Sequence, residues 1–370
     1  MKRLALLFII QFFALAAVYA SPAKLGQHFT IESTHLKQSR KIVVSVPEYY
    51  DSEPHQHYPV LYVTDAAAQF DHLSSTINYI AGTVSPMIVV GIYQQDRRDE
   101  MMAFDQQSQP RQKSQRFLKF ITDEVKPFIK EKFRTVDHSL LAGHSIGGAF
   151  TLHAYLTQPQ EFDVFLALSP SLAWGNEQML ELLPAHLNRS GQPTLHVYFE
   201  GITPFPTPAK SYKALSAMFA NAKEQNKLAI ELRNDEDHIS ITHYGVYTSL
   251  KAIYHDWFLY IPEIVKNKTA FTSHFSNLSQ RLGFNVKPSE YYIRGLVGAM
   301  LDQNQIDTAQ YIASEAVKLY PNSHQSFERL AEVATAKQQT STARKHLNQA
   351  LQLASTDEVK VRIKESISEL

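Results

Sequence analysis

Leu140-Leu141-Ala142-Gly143-His144-Ser145-Ile146-Gly147-Gly148 is the stretch on which the fold turns. An apolar strand-like run enters it, a G-x-S-x-G turn sits at its centre, and a helical pattern over 146–156 leaves it. A serine on a sharp, strained strand-to-helix turn needs residues without bulk two places before and two places after it. Gly143 and Gly147 meet that need. The turn lifts the hydroxyl above the carboxyl end of a sheet. The new helix aims its amide N–H groups and positive dipole end at the same point, which makes the amide of Ile146 an oxyanion donor. Ser145 is therefore read as a nucleophile.

Working outward, strand-like runs fall at 28–34, 40–46, 59–64, 87–93, 140–143, 162–169, 194–200 and 228–233. The first two alternate polar and apolar residues, as a half-solvated antiparallel edge does. Val60-Leu61-Tyr62-Val63 and Ile88-Val89-Val90 are continuous apolar runs, the mark of strands buried on both faces of a parallel sheet. Helical patterns occupy 113–133, 146–156, 207–225 and 244–259. This alternation predicts right-handed crossovers and an α/β fold with a mostly parallel central sheet flanked by helices.

From about residue 288 the pattern is helical only, with a period of 34. Leu296 matches Leu330, Ala309 matches Ala343, Ala316 matches Ala350 and Leu319 matches Leu353. A 34-residue helix-turn-helix unit with small residues at these offsets reads as TPR-like. Two units fall short of the three or more needed to stand alone, so they are expected to lean on the preceding region. At the other end, Lys2 and Arg3 precede an apolar run over 4–17, followed by Val18-Tyr19-Ala20, the three-part pattern of a cleavable export signal. The expected organisation is a signal over 1–20, an α/β-hydrolase domain over 21–262, a helical linker over 263–287 and TPR-like helical repeats over 288–370. A cut near Lys287 is expected to leave the first domain folded.

Composition narrows the function. Lys plus Arg and Asp plus Glu both total 36, so the formal charge is zero and nucleic acid is not an expected partner. Cysteine is absent, which excludes disulfides, thiolate metal sites and cysteine nucleophiles together. His55 and His57 form a lone pair with no carboxylate at ligand spacing, so neither a metal nor a cofactor is expected.

A serine nucleophile needs a base. Among 16 histidines, His238 stands out because its loop, Asn234-Asp235-Glu236-Asp237-His238, follows the last strand and lies at the carboxyl edge of the sheet. His243 is the competitor, and His144 is read as structural and pointing elsewhere. The orienting acid has three readings. Glu200 ends the strand that carries the acid in this fold; a Ser-His dyad held by a backbone carbonyl is the second; Asp235, Glu236 or Asp237 in the histidine loop is the third. Arg97 and Arg98 follow the fourth strand and are placed to meet an anionic substrate, or else form a solvated set with Asp96, Asp99 and Glu100. Trp174 is read as an aromatic wall over the site.

The stretch from Tyr58 to Leu259 resembles the esterase family of α/β-hydrolases that includes esterase D and the ferri-siderophore esterases. The resemblance rests on residues 58–65, on Val90-Gly91-Ile92 with Asp96-Arg97-Arg98-Asp99, on 117–127, on 143–148, on Ser169-Pro170-Ser171-Leu172-Ala173-Trp174, and on the loop ending in His238. It implies Ser145 as nucleophile, His238 as base, and the backbone near Asp65 and Ala66 as the second half of the oxyanion hole, with Asp65 on the substrate side. The family often carries its acid shortly after the glycine matching Gly201; Thr203 and Pro204 stand there in this chain. Ala66 replaces a usual glycine.

Two functions follow from these readings. One is an exported, secreted or periplasmic serine esterase acting on small-molecule esters, of siderophore or aryl-carbohydrate type. The other is a hydrolase-like binding protein with weakened catalysis, whose helical repeats recruit a protein partner. Neither calls for membrane insertion once the signal is removed.

Overall fold

The computed structural model describes residues 26–173 and 177–370. The expected export signal and Trp174 lie outside the described residues. Eight strands make one sheet: β1 Gln27–Ser33, β2 Gln38–Ser45, β3 Tyr58–Thr64, β4 Ile88–Ile92, β5 Thr135–His144, β6 Val164–Leu168, β7 Thr194–Ile202 and β8 Leu228–Asp237. Their order is β1-β2-β4-β3-β5-β6-β7-β8. β1 and β2 pair antiparallel, β2 pairs antiparallel with β4, and the rest of the sheet is parallel. The alternating patterns of the first two strands and the continuous apolar runs of the central ones thus locate the antiparallel edge and the parallel centre.

Fifteen α-helices are described. Those around the sheet are α1 Ala66–Ile80, α2 Arg97–Met101, α3 Gln112–Lys119, α4 Lys126–Lys132, α5 Ile146–Thr157, α6 Gln178–Leu187, α7 Thr207–Ala220 and α8 Ser240–Ile253. Beyond them lie α9 Ile261–Lys266, α10 Ala270–Leu282, α11 Glu290–Asp302, α12 Ile306–Leu319, α13 His324–Ala336, α14 Thr340–Leu353 and α15 Asp357–Ser368. The helix expected over 113–133 is realised as α3, a π-helical turn over Phe120–Val125, and α4. Pro127 has no N–H to give to the carbonyl four residues before it, and the amide of Lys126 reaches back to Ile121 instead. Helices α1, α2 and α6 were not expected. The polar side chains scattered through α1 mask its buried stripe of Phe70, Leu73 and Ile77.

Strand periodicity divides the core. Val60 and Tyr62 face a layer containing Phe117, Phe150, Leu183 and Leu215, whereas Leu61 and Val63 face Phe70, Leu73, Val246 and Leu250. This second layer does not stop at the expected domain boundary. It runs on through Phe271 and Leu278 of α10, Leu296 and Met300 of α11, and Ile312 and Ala316 of α12. Polar contacts follow the same path: the Glu53 carboxylate accepts from the Tyr291 amide at 2.7 Å, and the Tyr320 hydroxyl donates to Gln56 at 2.7 Å. His138 near the start of β5 stacks on Phe284 at 4.7 Å. The terminal helices therefore sit at the amino edge and along one face of the sheet, away from the turn bearing Ser145. Their internal repeat is literal: α13 begins 34 residues after α11, at 324 against 290, and α14 begins 34 after α12, at 340 against 306.

Because the layer is shared, removal of residues 288–370 should uncover the apolar flank of α10 and the sheet. The truncated chain is expected to aggregate, or to bind a hydrophobic dye and melt at least about 10 °C below the full chain. Light scattering and a thermal melt test this; a monomeric truncated chain with an unchanged melting temperature would contradict the shared core.

Candidate active site

Ser145 sits between β5 and α5 with φ 59° and ψ −117°, a conformation that stores backbone strain. Its glycine neighbours are required by proximity. A methyl group at Gly143 would lie 2.1 Å from the Gly147 carbonyl oxygen, and one at Gly147 would lie 2.6 Å from the Thr64 hydroxyl. The elbow is anchored across to β6, since the Ser145 amide donates to the Leu168 carbonyl at 2.8 Å. Ile146 and Ala66 are the first residues of α5 and α1, so neither amide has a partner one helical turn back.

The acid and the base meet. Nδ1 of His238 lies 2.9 Å from Oε1 of Glu200 and 3.1 Å from the Ser169 hydroxyl. A carboxylate facing Nδ1 assigns the proton to that nitrogen and leaves Nε2 as the basic one. Glu200 is 2% exposed. Burial by itself would raise its pKa; hydrogen bonds from His238 and Ser169 outweigh this and hold the carboxyl below its usual range. A register shift between β7 and β8 falls at Glu200 and Ile202, a bulge beside the acid. No carboxylate stands between Gly201 and Glu224 in the sequence, and the one that reaches His238 is Glu200, immediately before that glycine.

The competing residues are engaged elsewhere. Asp235 pairs with Arg233 at 2.7 Å. Asp237 accepts the amides of Ile239 and Ser240, each at 2.8 Å, at the start of α8. His243 lies within α8, where Nδ1 is 3.4 Å from the Thr76 hydroxyl.

Three side chains play parts that the sequence did not disclose. His144 does not point away: its ring packs on His238 at 4.5 Å. Burial first, and the neighbouring His238 second, push its pKa down to about 4, so it is a neutral partner for the base. Ser169 shares Nδ1 of His238 with Glu200. The Ser171 hydroxyl lies 3.2 Å from Oγ of Ser145. Both serines stand in the Ser169-Pro170-Ser171 motif, where a pair of hydroxyls flanking a proline at a strand end was the available signal.

Arg97 and its neighbours are tied into the fold. Nε of Arg97 donates to Asp65 at 2.8 Å, and its NH2 donates to the His144 carbonyl at 3.1 Å. It thereby bridges the turn after β3 to the turn after β5. Asp65 itself adopts a left-handed conformation, φ 58° and ψ 47°, and its amide donates to Gln94 at 3.0 Å. Glu100 belongs to no solvated set: it holds Arg40 in a buried two-bond pair, both at 2.7 Å. Asp99 pairs with Arg111 and Lys113.

Ser145, Ser169, Ser171, Glu200 and His238 all open into one cleft of about 480 Å³. No group of three or more metal-ligating side chains occurs among the described residues. The family profile described as Putative esterase matches residues 33–248. The chain belongs to that esterase family. Its likeness to a siderophore enterobactin esterase from Emericella nidulans is 41% identity over 98 residues, covering 24% of this chain and 32% of that protein. To the ferri-bacillibactin esterase BesA of Bacillus subtilis it is 27% identical over 185 residues, covering 41% of this chain and 63% of that protein. The chain thus spans less than two thirds of the length of these curated relatives. An IroE-like serine hydrolase from Shewanella oneidensis superposes with a TM-score of 0.68 at 26% identity, over 78% of this chain and 97% of that one.

The Arg97 bridge has a measurable weight. Arg97→Met would leave the buried Asp65 carboxylate without its cation. It should lower the unfolding free energy by about 1–2 kcal/mol, the half-open guanidinium being partly screened. Urea unfolding tests this, and adding Asp65→Asn to the variant should recover part of the loss.

Proposed function

We propose that this chain is a serine esterase that hydrolyses carboxylic esters through an acyl-enzyme. Oγ of Ser145 attacks the ester carbonyl while Nε2 of His238 takes its proton. The amides of Ile146 and Ala66 hold the oxyanion. His238 returns the proton to the departing alcohol, and water then repeats the sequence to free the acid. Glu200 keeps Nδ1–H in place and balances the imidazolium that forms. The observation carrying this reading is the 2.9 Å bond between His238 and the buried Glu200 in the cleft that also holds the strained Ser145. In the resting site the Ser145 hydroxyl rests against Ser171, and in this reading it turns to His238 when substrate arrives. Family membership and the siderophore esterases among its relatives support ester chemistry. The positively started apolar segment over 1–20 supports export of the mature chain.

Steady-state hydrolysis of p-nitrophenyl butyrate is the direct assay. Ser145→Ala should lower kcat by about 10³-fold or more, because the covalent route is gone. A folded Ser145→Ala protein of undiminished activity would remove the proposal.

Glu200→Gln separates a triad from a dyad. Without the carboxylate the imidazole loses its tautomer and its counter-charge, and kcat should fall by about 10³-fold. A loss below about tenfold, or ~1.4 kcal/mol, would mean that the Ser169 hydroxyl suffices to hold the histidine.

A further inference from the structure

We infer that the cleft selects esters whose acyl group is apolar, uncharged and of medium length; this rests on the esterase reading of the same cleft. The lining carries the polar side chains of Ser145, Ser169 and Ser171. It also carries Ile202, Pro204, Phe205, Pro208 and Ile239. Ile202, Phe205 and Ile239 are 56%, 69% and 75% exposed, which is unusual for side chains of this size. Three such residues converging on one cleft form an apolar patch of the kind that marks a ligand surface. Two of them adjoin the His238–Glu200 pair along the chain: Ile202 lies two residues beyond Glu200, and Ile239 follows His238 directly.

The charges point the same way. Glu200 and Asp237 are the carboxylates lining the cleft. The amides of Ser240 and Ile239 hold Asp237 below the usual carboxylate range, so it stays ionised. Nearby cations are committed to other partners: Arg97 bonds Asp65, and Lys210 bonds Glu177 at 2.7 Å. Neither lines the cleft. An anionic acyl group entering here meets carboxylates and apolar side chains, and loses its water without gaining a counter-ion. A trianionic iron(III) tris-catecholate is disfavoured on the same ground, and a neutral ester with an alkyl or aryl acyl group is favoured.

The test uses the full chain and matched substrates: p-nitrophenyl acetate, butyrate and hexanoate, and the p-nitrophenyl half-ester of adipic acid, which is close to the hexanoate in shape but carries a carboxylate. kcat/KM should rise by about tenfold or more from acetate to hexanoate, as methylene burial predicts. The adipate half-ester should fall about 50-fold or more below the hexanoate. Phe205→Ser and Ile239→Ser, made separately so that one misfolded protein does not end the test, should each lower the hexanoate-to-acetate ratio about threefold or more. A flat series, or an adipate half-ester turned over as well as the hexanoate, would overturn the inference while leaving the esterase reading intact. No turnover of any ester, with Ser145 unreactive toward a fluorophosphonate, would overturn both.

Discussion

The closeness of approach at the nucleophile turn governs the site. Gly143 lies so near the Gly147 carbonyl, and Gly147 so near Thr64, that β3 and β5 must end in mutual contact. α1 leaves the turn after β3 and α5 leaves the turn after β5, where Ser145 holds its strained conformation. Arg97 then fastens the two turns from outside, through Asp65 and the His144 carbonyl. The buried Arg40–Glu100 pair holds α2, which carries Arg97, against β2. The geometry at Ser145 is thus set by the ends of three adjacent strands rather than by its own loop.

The second requirement is a histidine held in one tautomer. Glu200 can remain charged while almost fully buried because His238 and Ser169 both bond to it. His144 completes the surroundings of the base as a neutral ring, kept uncharged by its own burial. A positively charged ring at that position would oppose the imidazolium that the chemistry needs, so the environment of His144 matters as much as its contact. The cleft thus combines hydrogen-bonded polar side chains with apolar lining residues, a combination that suits an ester with a carbonyl at one end and hydrocarbon beyond it.

Much of this was legible in the sequence. All eight strands fall where apolar runs and alternation place them, because strands buried on both faces leave a composition signal that needs no tertiary information. Ser145 was legible because its turn tolerates so few residue types. His238 was legible from its place after the last strand. Glu200 was one of three open readings, since nothing local distinguishes a carboxylate at a strand end from one in the next loop; that Glu200 reaches His238 while Asp235 and Asp237 bond elsewhere is visible only in three dimensions. The Arg97 bridge was hidden for the same reason. Its partners, Asp65 and His144, lie 32 and 47 residues away along the chain. The sharing of one apolar layer between the sheet and the terminal helices was also hidden, because a 34-residue period speaks of neighbouring helices and not of what they rest on.

The terminal helices dock at the amino edge of the sheet, and the proposed chemistry lies at the carboxyl edge. Their effect on the site therefore passes through the stability of the shared core. The central claim, that the strained serine is the reacting group, is tested most directly by treating the full chain with diisopropyl fluorophosphate and mapping the modified peptide by mass spectrometry. The account predicts one phosphoryl adduct per chain, on Ser145, formed much more slowly in Glu200→Gln protein. An unmodified Ser145, or an adduct on Ser169 or Ser171 instead, would contradict it.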